Sequence, residues 1–309
     1  MRVVSLLPSA TEMVHFAGAG DALVGVTHEC DYPPGVEKLP HLTSSLIDGK
    51  NMSSAEIDAA VGQLLTDDDS IYGLDVELLD QLSPDLVVTQ GLCEVCSVSL
   101  NLVERVVAGL KIQPEVFSTD PTSLREVLDD TVAVGELVGK GDETRRKVVG
   151  LEEKLARIEE SVSNLERPRV GCMEWLDPPF SAGHWVPEMV RMAGGEELFA
   201  GPGERSMRLS WETVFEEDPD VLVMMPCGFD ADRAVQEARQ LPRLDGWEEL
   251  TAVRNEQVWM VDANSYFSRP APRLVDGVEI LARILHPETF PGEPEAIRFT
   301  PTRAEVSID

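Results

Sequence analysis

Six short apolar runs punctuate the chain, at residues 2–7, 22–26, 86–89, 169–173, 221–225 and 258–261. Each is too short for a buried helix and lacks polar alternation, the pattern of a parallel strand covered on both faces. Amphipathic stretches separate them, with residues 124–138 and 273–285 showing helical spacing most clearly. Strands alternating with helices predict βαβ units and parallel sheets, hence an α/β fold.

The pattern occurs twice. Thr11-Glu12-Met13-Val14-His15-Phe16-Ala17-Gly18 returns as Pro187-Glu188-Met189-Val190-Arg191-Met192-Ala193-Gly194, and the register runs on to Gly25 and Gly201. Further along each half, Leu74-Asp75-Val76-Glu77 precedes Ser83-Pro84-Asp85-Leu86, and Leu209-Ser210-Trp211-Glu212 precedes Asp218-Pro219-Asp220-Val221. Two signatures in the same order imply a duplicated plan.

Between the copies, Val148, Leu151, Leu155, Ile158, Val162 and Leu165 form one apolar stripe. Spacings of three and four predict a single amphipathic helix of roughly 24 residues, about 36 Å long. Asp142 is the expected N-cap and Pro168 the expected stop. Such a stripe suits a dimerising coiled coil or a linker packed within its own chain, and its shortness favours the linker. The expected organisation is a lobe at 1–140, a linker helix at 141–167, a second lobe at 168–288 and an extension at 289–309.

Charge narrows the partners. The chain carries 56 acidic against 26 basic residues, a net charge of −30. Nucleic acid and anionic lipid are repelled by such a surface. Lysine is scarce and the acids are dispersed, which suits a salt-rich cytoplasm as well as a simply acidic protein. No run is long and apolar enough to span a membrane, and a monomer is expected. Residues 2–12 read as strand, loop and helix rather than as a leader. That predicts a cytoplasmic protein as the sequence stands, and a periplasmic or extracellular one if a leader has been removed.

Duplicated α/β lobes joined by one long helix resemble the ABC-transporter substrate-binding proteins that carry cobalamin, haem and iron–siderophores. Residues 2–12, Gly25-Val26-Thr27, Asp31-Tyr32-Pro33 and Leu82-Ser83-Pro84-Asp85-Leu86-Val87 carry the resemblance, which reaches to about His286 and is strongest for the cobalamin binders. It implies two Rossmann-like lobes with a ligand cleft between them and a corrinoid ligand, bound either for uptake with an ABC permease partner or for intracellular handling. It also implies that Glu77 and Glu212 dock on permease arginines. By their position alone, both are first-turn glutamates that a helix dipole favours.

Ligands of open parallel sheets bind outside the carboxyl ends of the strands. That rule selects Ser9, Thr11, His28, Tyr32 and Gln90 from the first half. From the second it selects Trp175, His184, Trp185, Phe229, Tyr266, Phe267 and Arg269. The aromatic members offer the broad flat faces a corrin or porphyrin needs, and equally serve as core packing. His28, Cys30, Cys93 and Cys96 form a soft-ligand set compatible with zinc, an iron–sulfur cluster or contact to a ligand's metal. A redox pair and quiet buried cysteines fit the same residues. These loops are not a feature of the general cobalamin binders and point to a subfamily. No nucleophile elbow, Walker loop or dinucleotide fingerprint is present, so a non-enzyme is expected. The alternative function is a metal-based sensor, chaperone or redox protein.

Overall fold

Val3, Val4 and Ser5 make β1 (Val3–Ser5), a strand with no exposed residue. The computed structural model describes residues 1–47, 49–67, 71–91 and 98–300. The chain divides into two compact units: Met1–Pro121 with Arg125–Gly150, and Thr122–Leu124 with Leu151–Asp309.

In the first unit β1 leads to α1 (Pro8–Phe16), β2 (Leu23–Gly25) and β3 (Thr43–Ser45). Then come α2 (Ser54–Asp67), β4 (Tyr72–Leu74), α3 (Val76–Leu82) and β5 (Leu86–Gln90). The elements α4 (Leu100–Ala108), β6 (Glu115–Thr119), α5 (Leu124–Leu137) and α6 (Gly141–Val162) follow. Four strands form a parallel sheet in the order β2-β1-β5-β6, and β3 pairs antiparallel with β4 apart from it. Val4, Leu6, Leu42, Leu79, Val87 and Val103 fill the core on one side.

The second unit opens with β7 (Arg169–Leu176), β8 (Pro179–Ser181), α7 (Val186–Met192) and β9 (Glu196–Glu197). It continues through α8 (Trp211–Glu217), β10 (Val221–Met224), α9 (Ala231–Ala238) and α10 (Thr251–Arg254). It ends with β11 (Val258–Val261), α11 (Ala263–Tyr266), α12 (Leu274–Leu285) and β12 (Ala296–Arg298). Its parallel strands run β9-β7-β10-β11, the same order as in the first unit, with β8 and β12 added antiparallel. Trp247, Met224, Leu222 and Met260 sit in one of its cores.

The duplication extends to single hydrogen bonds. Asp85 accepts the Arg2 backbone N–H at 2.7 Å on its carboxylate, and Asp220 does the same for Arg169 at 2.9 Å. Their own N–H groups donate back to Arg2 O (2.8 Å) and Arg169 O (2.9 Å). The helices before them, α3 and α8, both end on a left-handed residue: Ser83 at φ 44° and Asp218 at φ 41°. After α1 and α7, Gly18 (φ 82°) and Gly194 (φ 85°) make the same left-handed exit, a conformation glycine adopts without steric cost.

Two expectations need correction. The linker helix stops at Val162 rather than running to residue 167, and Leu165 lies past its end, 37% exposed. Asp142 falls inside the first turn, with its side chain paired to Arg145 at 3.2 Å rather than capping. The remaining stripe is interior: Val148, Leu155, Ile158 and Val162 are buried and Leu151 half-buried, so it packs within its own chain. Within the expected extension, residues 296–298 form β12, which pairs with β11.

Candidate functional site

In the first unit, the segment after β1 turns directly into α1, and its hydroxyls point inward. Thr11 Oγ1 donates to Ser5 Oγ (2.8 Å), and Ser5 Oγ donates to the Leu7 carbonyl (2.7 Å). The Cys30 thiol is 3.1 Å from Thr11 Oγ1 and 3.2 Å from Thr27 Oγ1. Ser5, Ser9, Thr11, Thr27 and Cys30 are all buried. Here the cysteine completes a buried hydroxyl network, a role its sequence spacing did not distinguish from metal ligation.

His28, next to it, is placed differently. Its Nδ1 lies 2.7 Å from Thr43 Oγ1, and its backbone N–H donates to the same oxygen at 3.3 Å. The ring leans on Tyr72, with centroids 5.8 Å apart, and Nε2 is 4.0 Å from Glu29 Oε1. Tyr32 is exposed, and Gln90 is buried at the end of β5. Beside Gln90, the Gly91 N–H donates to Asp120 Oδ1 at 2.6 Å. Cys93 and Cys96 lie outside the described residues. Among the described residues no group of three or more His, Cys, Asp or Glu is arranged to hold a metal.

The second unit brings aromatic residues together at the carboxyl ends of its sheet. Trp175, near the end of β7, meets Phe229, just after β10, at 5.4 Å between centroids. Arg233 lies over the other partner of that pair, 4.9 Å from the Phe229 ring centroid. The Phe229 carbonyl accepts from Asn264 N–H (3.1 Å), and Cys227 N–H donates to Glu174 O (3.0 Å), so three strand ends are tied together. Arg233 was missed from sequence; its signal was the four-residue spacing from Phe229, across the helix start that Asp230 caps.

Other predicted members are placed differently. Trp185 is buried and its indole N–H donates to the Phe267 carbonyl at 2.7 Å; Phe267 itself is 2% exposed. Neither ring offers an open face. His184 takes a left-handed conformation (φ 55°), held by its N–H to Glu204 O (2.5 Å) and its carbonyl to Gly203 N–H (2.9 Å). Burial and then nearby Arg205 lower the pKa of its ring. The Tyr266 hydroxyl donates to Glu295 at 3.0 Å. Burial and this acceptor push its pKa up to about 12. Arg269 is half-buried nearby in sequence, just before Pro270.

Two half-buried acids with shielded carboxyl groups were not anticipated. Glu197, in β9, accepts the Phe199 N–H at 3.1 Å on Oε1, while its buried Oε2 has no hydrogen-bond partner among the described residues. Desolvation raises its pKa to about 8. The neighbouring Cys172 thiol is pushed well up by the same burial and by Glu197. Glu174 is also raised by burial. Nothing in local sequence separates these from surface glutamates, because their burial comes from the sheet edge.

Glu77 and Glu212 occupy equivalent exposed first-turn positions of α3 and α8. The caps before them are Asp75, accepting from Leu78 N–H at 2.9 Å, and Ser210, accepting from Thr213 N–H at 3.2 Å.

The sequence pattern of the periplasmic binding protein family matches residues 3–264. The chain belongs to that family. Among its relatives is a Bacillus subtilis protein described as an uncharacterized ABC transporter substrate-binding lipoprotein, 26% identical over 94% of this chain and 81% of the relative. A vitamin B12-binding protein of Vibrio cholerae is 23% identical over 90% of this chain and 86% of its own length. A solved periplasmic heme binding protein from Pseudomonas aeruginosa superposes with a TM-score of 0.71 at 19% identity, covering 97% of this chain and 98% of that one. For this periplasmic binding protein, the resemblance drawn from residues 2–12 and 82–87 therefore holds at the level of family and two-lobed α/β fold.

Proposed function

We propose that this protein binds a corrinoid-type metal macrocycle for uptake through an ABC transporter, and is not an enzyme. The observation that carries this reading is the Trp175–Phe229 pair with Arg233 stacked on it at the strand ends of the second sheet. Flat apolar faces with a cation behind them suit a large ring bearing polar substituents. The vitamin B12-binding relative supports the ligand class, and the substrate-binding lipoprotein supports an ABC permease as partner. Glu77 and Glu212 are the groups we assign to permease docking, being exposed and equivalent in the two units.

The same relatives favour the periplasmic or extracellular location over the cytoplasmic one. The zinc or iron–sulfur alternative has no described geometry in its favour, since Cys30 is engaged by Thr11 and Thr27.

Titration calorimetry with cyanocobalamin, cobinamide and haem tests the reading. The expected result is one corrinoid bound per chain, with Trp175→Ala weakening it at least ten-fold. Tight haem binding with no corrinoid binding would overturn it.

A further inference from the structure

The His28 ring is fixed more firmly than a surface histidine needs. Thr43, itself buried, holds it twice, through the backbone N–H (3.3 Å) and through Nδ1 (2.7 Å), and Tyr72 supports one face. A hydroxyl oxygen has two lone pairs, so Thr43 Oγ1, which accepts the backbone N–H, has room to accept an Nδ1–H as well, and the tautomer protonated at Nδ1 is the one that suits metal binding. In that tautomer Nε2 carries the lone pair. Orienting one ring nitrogen by an oxygen acceptor is how proteins prepare the other for a metal. The side chain keeps 27% of its surface exposed, and its Nε2 end faces the Glu29 carboxylate at 4.0 Å. The residue follows β2, at the carboxyl edge of the first sheet.

We propose that His28 Nε2 takes an exchangeable axial position on the cobalt of a bound corrinoid, which makes corrinoids lacking a fixed lower base, of the cobinamide type, the preferred cargo. This rests on the corrinoid reading above. The step is a ligand substitution: the cobalt–oxygen bond to a water breaks, a cobalt–nitrogen bond forms, and the water leaves. Nδ1 keeps its proton and no electron is transferred.

Charge selects among macrocycles. A corrin ring carries one negative charge, so its cobalt(III) complex without the nucleotide tail is a cation. Haem, with a dianionic ring and two carboxylates, is not. A chain of net charge −30, with Glu29 next to the ligating nitrogen, favours the cation.

Diaquocobinamide is the probe. With the wild-type chain, absorption should shift on binding. After reduction to cobalt(II), the electron paramagnetic resonance spectrum should show the triplet splitting of one axial nitrogen. His28→Ala and His28→Gln should lose the triplet and bind at least ten-fold more weakly, and Thr43→Val should weaken binding while keeping the triplet. The second His28 variant covers failure of the first to fold. Cobinamide bound by wild type without the triplet, or a triplet that survives in either His28 variant, overturns this proposal and leaves the corrinoid reading standing. No calorimetric binding of cobinamide or cyanocobalamin overturns that reading itself.

Discussion

The two units differ where their strands end and agree where they begin. At the starting edge, Arg2 and Asp85 repeat as Arg169 and Asp220, down to backbone bonds that match within 0.2 Å. At the carboxyl edge the described side chains diverge. The first unit turns hydroxyls and a thiol inward and holds His28 in place, whereas the second gathers Trp175, Phe229 and Arg233. A duplicated plan thus keeps the residues that join strand to strand, and leaves the opposite edge to take on separate chemistry. The edge strands also diverge: β2 is Leu-Val-Gly, while its topological counterpart β9 is a pair of glutamates.

That last difference gives the largest expected effect. The folded-state pKa of Glu197, about 8, is raised above its ordinary 4.5, so the neutral acid belongs to the folded form. Its contribution is fully present below pH 4.5 and is lost as pH rises towards 8, because the unfolded chain ionises first. Glu197→Gln should remove this decline and leave the chain roughly 2 kcal/mol more stable than wild type at pH 8, about half of what ~1.4 kcal/mol per pH unit would allow. Denaturant midpoints measured across this window check it; equal slopes for both chains would mean that β9 does not confine the acid.

The strand-joining aspartates should behave alike. Asp85→Ala and Asp220→Ala should each lower stability by about 1 kcal/mol, the usual worth of such a hydrogen bond. Unfolding followed separately for each variant would break the equivalence if one were silent and the other severe.

The smallest effect separates the two helix exits. Ser83→Gly should stabilise by about 0.5 kcal/mol, since glycine takes the left-handed φ without strain. Asp218→Gly should instead destabilise, because the carboxylate accepts from both the N–H and the hydroxyl of Thr251 at 2.7 Å. Thermal melts of the two variants should move in opposite directions.

Much of the scaffold was legible in the apolar runs. Residues 258–261 are β11 to the residue, and the core strands β1, β5, β7 and β10 differ from their predicted bounds only at the ends. What escaped was held by pairing rather than by apolar content. β3 is Thr-Ser-Ser, and β6 begins with an exposed Glu115, so neither carries a buried-strand signature. The Leu165 position shows the converse error, where apolar spacing continues beyond the point at which the backbone leaves the helix. The site was legible in outline only. Position after a strand picked out Trp175 and Phe229, which the fold brings together, and His28, which Thr43 holds, but it could not distinguish Trp185, whose indole is committed to the Phe267 carbonyl.

The antiparallel strand β12 carries a practical consequence. It covers the backbone groups of β11 that would otherwise form an open border, and Arg298 lies 4.6 Å over the Trp259 ring. A shortened version ending before Ala296 would leave that border and the indole available to other molecules, inviting self-association through strand pairing. Affinity tags and fluorescent reporters are therefore best appended downstream of Phe299, where the final strand stays whole.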